Sequence, residues 1–140
     1  NDFRIKIILG SSTKKNSELT KLVRKYKKNM TILQKVPNMR KEISETKFAF
    51  CSGGITTYEF ALMQVPFAII CQYPHQLITS KEWEKLGIAL NLGKLTKSTP
   101  KKIQNIVNNL EKTTKKLKTN RSYVDGLGSK RIKKEIIFLK

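Results

Sequence analysis

One histidine, two cysteines, ten acidic residues and no long apolar run constrain this 140-residue chain before any motif does. A lone imidazole, His75, makes neither a metal cluster nor a catalytic triad by itself. The cysteines, Cys51 and Cys71, each end an apolar run, at a spacing that fits no metal motif. They read as free thiols of the interior, and that usage points to a cytoplasmic setting. The longest apolar runs, such as 67–71, are far too short to cross a bilayer. No signal peptide opens the sequence, and it starts at Asn1 rather than Met, which suggests a domain cut from a longer protein or one missing its first residues. No residue pattern calls for a cofactor.

The scarcity of acid leaves a formal net charge of +19. Such an excess raises two partner classes, nucleic acid and anionic membrane surfaces. Nearly all of it is lysine, however, whereas groove and phosphate recognition favours the fork of arginine. The lysines also spread along the whole chain instead of forming one patch. Nucleic acid is therefore the weaker expectation, and peripheral contact with a membrane stays open.

Short apolar runs alternate with amphipathic segments. Strands are expected at 3–9, 31–36, 48–52, 67–71 and 88–92, the third buried on both faces and the fifth closed by Gly93. Helices are expected at 17–28 behind an Asn16 cap, at 38–45 behind Asn38, and at 57–64. Another is expected at 79–86, with Thr79 and Glu82 as a capping box and Gly87 as its stop. Thr99-Pro100 reads as cap and first position of a helix running to about 118. A final helix carries Ile132, Ile136, Ile137 and Leu139. This order implies parallel βαβ units, hence an α/β, Rossmann-like three-layer domain with a mostly parallel sheet.

In such folds ligands sit at the carboxyl ends of the strands. Three loops are expected on that edge: 36–38, 52–57 and 72–76. The middle one, within "CSGGITTYE", is the most suggestive. Gly53 and Gly54 would let the backbone approach a ligand, Thr56 and Thr57 add hydroxyls, and the following helix offers free N–H groups. This suits a diphosphate, but a tight βα turn also tolerates two glycines. Glu59 has two readings as well. It completes a capping box with Thr56, or its two oxygens accept the vicinal hydroxyls of a ribose. From the residues alone both stand.

The run "FCSGGITTYEFALMQVPFAIICQYPHQ" with "EKLGIALNLG" resembles the C-terminal, donor-binding domain of GT-B enzymes. It looks most like the UDP-sugar hydrolases of pseudaminic acid synthesis and the spore coat polysaccharide proteins. "IILGSST", "VPNM" and "RSYVDGLGSKRI" extend the likeness over nearly the whole chain. The resemblance implies that Gly53, Gly54, Thr56 and Thr57 hold the diphosphate of UDP or a UDP-sugar, and Glu59 the ribose. It puts Asn38 and Met39 by the base, and Gln76 with His75 at the sugar or its phosphate. His75 stands where the family usually has Asp or Asn. The resemblance also implies an N-terminal domain that supplies a catalytic histidine, so no catalytic residue is expected here and the chain alone is expected to be inactive. In the complete enzyme, water or an acceptor hydroxyl would displace UDP from the sugar, making it a hydrolase or a glycosyltransferase.

Overall fold

The computed structural model describes residues 3–10, 12–14, 16–119 and 123–138. The fold is α/β with parallel sheets, and the chain divides into two compact units, Asn1–Met39 and Arg40–Lys140.

In the first unit β1 (Ile5–Leu9) pairs in parallel with β2 (Met30–Gln34), Ile5 opposite Met30. Between them runs α1 (Ser17–Lys25). Asn16 caps it as expected, its Oδ1 accepting the Leu19 N–H at 2.7 Å. The helix ends before 28 because Tyr26 leaves helical geometry, and its carbonyl accepts the N–H groups of Asn29 and Met30 to turn the chain into β2. β2 stops short of 36, since Lys35 adopts a left-handed φ of 54°. Ser11 of the "IILGSST" run lies outside the described residues.

The second unit begins within α2 (Met39–Ser44), whose first residue closes the first unit. Its elements are β3 (Ala49–Cys51), α3 (Thr56–Leu62), β4 (Phe67–Cys71), α4 (Gln76–Lys85) and β5 (Ala89–Lys94), then α5 (Thr99–Asn108), α6 (Leu110–Lys116) and α7 (Gly128–Phe138). The strands form one parallel sheet in the order β3-β4-β5. Central β4 is apolar throughout because both its faces are covered. On one face Phe67 stacks on Phe60 of α3 at 5.8 Å and meets Trp83 of α4 edge-on at 6.3 Å. On the other, Ala68 packs with Leu92 and Ile106, flanked by Ile70, Leu90 and Ile103. The unit is thus three layers, with α3 and α4 on one side of the sheet and α5 on the other. Fully buried side chains such as Phe67 and Ile69 each contribute roughly 1.5–3 kcal/mol.

Several boundaries depart from expectation. β3 is the outer strand of its sheet, so Phe50 is 38% exposed instead of buried. α4 begins at Gln76, three residues early, so Thr79 lies inside the helix and makes no capping box with Glu82. β5 continues through Gly93 to Lys94, because a register shift against β4 absorbs the glycine at φ +72°. The long helix predicted after Pro100 breaks at Asn109, whose side-chain Nδ2 donates back to the Asn105 carbonyl. Thr99 is not the cap: Ser98 holds that position, and Thr99 Oγ1 accepts the Thr96 N–H at 2.9 Å.

The tail run is a structural device where it is described. Arg131 grips Asp125 through two hydrogen bonds, 2.7 and 3.0 Å, and Asp125 Oδ1 also accepts the Leu127 N–H. The Arg131 guanidinium, aided by that N–H, lowers the Asp125 carboxyl to about 2. Gly126, at φ +72°, sits where a Cβ would lie 3.4 Å from Leu62 of α3. Arg121 and Ser122 of that run, and Leu139 of the last helix, fall outside the described residues.

α3 closes with paired turns, Gln64 N–H to Ala61 O and Val65 N–H to Phe60 O. They force the exposed Gln64 to a left-handed φ of 59°, a position glycine occupies without steric cost. Gln64→Gly should therefore stabilise the fold by about 0.5–1 kcal/mol in urea unfolding, and a loss of stability would contradict this account of the turn.

Candidate functional site

The turn between β3 and α3 carries two glycines with different reasons for being there. Gly53 is buried, and a Cβ added to it would sit 2.8 Å from Gln76 Cβ and 3.2 Å from the Gln76 carbonyl oxygen. That glycine lets the turn close on the first residue of α4. A Cβ on Gly54 would meet nothing nearer than Ser52 Oγ at 3.9 Å. Neither glycine has a left-handed φ. Gly53 thus serves internal packing, while Gly54 borders open space.

The turn is held from behind by a buried relay. Trp83 Nε1 donates to Thr57 Oγ1 at 3.1 Å, and that hydroxyl donates to the Gly54 carbonyl at 2.8 Å. Thr57 is fully buried, and its own N–H donates to the same carbonyl. Both its donors are committed inside the protein, so its part is to position the turn. The N–H groups of Gly54, Ile55 and Thr56 find no acceptor among the described residues.

Thr56 and Glu59 do not form the capping box. Ile55 holds the cap position in helical geometry with no side-chain cap, which places Thr56 inside α3. Glu59 is half-buried one turn on, and among the described residues its carboxylate has no hydrogen-bond or ion-pair partner. A half-buried acceptor without a donor is costly unless water or a ligand supplies one.

Gln76 is buried, and its Oε1 accepts the Gln72 N–H at 2.8 Å, bracing the β4–α4 loop. His75 beside it is exposed, its ring parallel to that of Tyr73. The second unit therefore brings together Gly53, Gly54, Thr56, Thr57, Glu59, His75 and Gln76. Asn38, exposed, and Met39, half-buried, belong to the first unit. Sequence reasoning passed over Trp83, although a buried indole N–H demands an acceptor, and Tyr73, an aromatic in a polar loop. Nearby Cys51 is free, and burial raises its thiol to about 12, so it is no nucleophile at neutral pH.

The Bacillus subtilis (strain 168) protein described as "Spore coat polysaccharide biosynthesis protein SpsG" is 26% identical to this chain over 92 residues, 66% of the chain. This supports a distant relation between the two. The match spans 27% of the length of that curated relative. No family model matches the chain, and no solved structure matches it. Among the described residues no helix is long and apolar enough to cross a membrane.

The contrast between the glycines is measurable. Gly53→Ala must displace Gln76 and should cost about 1–3 kcal/mol in thermal or urea unfolding, whereas Gly54→Ala should be tolerated within about 1 kcal/mol. Equal costs at both positions would contradict the assignment.

Proposed function

We propose that this chain binds the nucleotide part of a nucleotide-diphosphate-sugar, a UDP-sugar, for an enzyme of polysaccharide biosynthesis. The observation that carries the reading is the half-buried carboxylate of Glu59, without a partner among the described residues, one turn past an open backbone turn whose N–H groups find no acceptor among them either. A ribose supplies two adjacent hydroxyl donors for that carboxylate, and a diphosphate supplies acceptors for the N–H groups of Gly54, Ile55 and Thr56. Thr56 Oγ1 adds a donor at the same turn. Thr57, Gly53 and Gln76 keep the turn in place. The distant relation to a protein named for spore coat polysaccharide biosynthesis gives the sugar-related context.

The chemistry follows from the leaving group. Cleavage of the sugar–phosphate bond leaves charge on the diphosphate, and fixed N–H donors stabilise it as it develops. The base that activates water would come from a second domain, as the resemblance to sugar-nucleotide hydrolases implies. With an acceptor hydroxyl in place of water, the same donor half would serve a glycosyltransferase.

UDP should raise the melting temperature by mass action, by about 2.7 kcal/mol of added stability at 100 times Kd. CMP and a short oligonucleotide should do much less. Glu59→Gln keeps the shape but loses the charged acceptor, so UDP affinity should fall roughly 10-fold to 100-fold with the unliganded melting point unchanged. No UDP effect at millimolar concentration, or an oligonucleotide effect that exceeds it, would overturn the reading.

A further inference from the structure

Tyr73 and His75 flank Pro74 on the loop from β4 to α4, and the reading above gives Tyr73 no role. Their rings lie parallel, 4° between planes and 5.7 Å between centroids. Both are exposed, Tyr73 by 56%. The loop that presents them is tied down. Gln76 N–H donates to the Tyr73 carbonyl and Leu77 N–H to that of Pro74, both at 3.1 Å. Gln72 N–H donates to Gln76 Oε1, and Gln76 lies against Gly53. Pro74 fixes its own φ. Two flat rings thus stand in water on a rigid turn, a surface that binds with little ordering cost.

The neighbours of this loop indicate which part of a ligand meets it. Glu59 lies one turn into α3; Thr56 and Gly54 precede it; Gly53 touches Gln76; His75 and Tyr73 come next. For a ligand with its ribose at Glu59 and its diphosphate at Gly54, the remaining group on the far phosphate is left for the adjoining β4–α4 loop, which meets the turn where Gln76 lies against Gly53. We infer that Tyr73, backed by His75, is a stacking platform for the pyranose ring of the donor, and so a specificity-determining residue. This inference rests on the proposed nucleotide-sugar reading. The electron-rich face of the phenol attracts the C–H groups of a sugar face, and stacking removes apolar surface of both from water. A pyranose face that carries only hydrogens suits this contact, and one bearing an axial hydroxyl does not.

Calorimetric titration of the whole chain with UDP and with UDP-N-acetylglucosamine tests the inference. The wild type should bind the UDP-sugar more tightly than UDP. Tyr73→Ala, at an exposed position, should keep the wild-type melting point and UDP affinity but lose about fivefold in affinity for the UDP-sugar. Tyr73→Phe should retain the wild-type preference. If Tyr73→Ala weakens UDP and UDP-sugar equally, or changes neither, the platform is refuted while the nucleotide reading survives. If the wild type binds neither ligand, that reading fails and the platform with it.

Discussion

The indole N–H of Trp83 needs an acceptor in a dry interior, and Thr57 Oγ1 supplies it at 3.1 Å. That hydroxyl in turn holds the Gly54 carbonyl at 2.8 Å. A single buried relay therefore joins the last turn of α4 to the start of α3 and to the turn before it. The missing side chain of Gly53 completes the closure by letting Gln76 pack directly on the turn. Removing the Thr57 hydroxyl would leave the buried indole N–H of Trp83 without its partner, at a cost of about 1–3 kcal/mol.

Because the inner side of the turn is fixed in this way, its outer side is left free. Gly53, Thr57 and Gln76 have their atoms committed to packing and hydrogen bonds within the protein. Among the described residues the N–H of Gly54, the N–H and hydroxyl of Thr56 and the carboxylate of Glu59 have no such partner, and the paired rings of Tyr73 and His75 are exposed. The resemblance to donor-binding domains implies ligand roles for members of both groups, though not for Tyr73. The geometry separates those that hold the turn from those available to a ligand, and Glu59 is the sharpest of the second group.

How much of this could be read from sequence depended on whether local signals and tertiary contacts agreed. The run 67–71 was legible to the residue, because a strand covered on both faces must be apolar throughout. The Asn16 cap was equally plain. The start of α4 was not, since the Tyr73-Pro74-His75-Gln76 turn begins the helix ahead of the better-looking Thr79. At "TTYE" the capping box was a sound local pattern. The relay through Thr57 sets the helix start at Ile55 instead, and it acts through Trp83, twenty-six residues away. The break at Asn109 is local, yet asparagine is common enough in helices that its bond to Asn105 was invisible without coordinates.

The central claim is that the backbone after Gly53 is the part of this lysine-rich chain that receives a nucleotide diphosphate. Amide NMR spectra recorded during a UDP titration test it most directly. The account predicts that the amide resonances of Gly54, Ile55 and Thr56 shift together with a single dissociation constant, while those of the lysine-bearing α6 stay in place. Shifts confined to α6, or spread evenly over the lysines and abolished by salt, would contradict it.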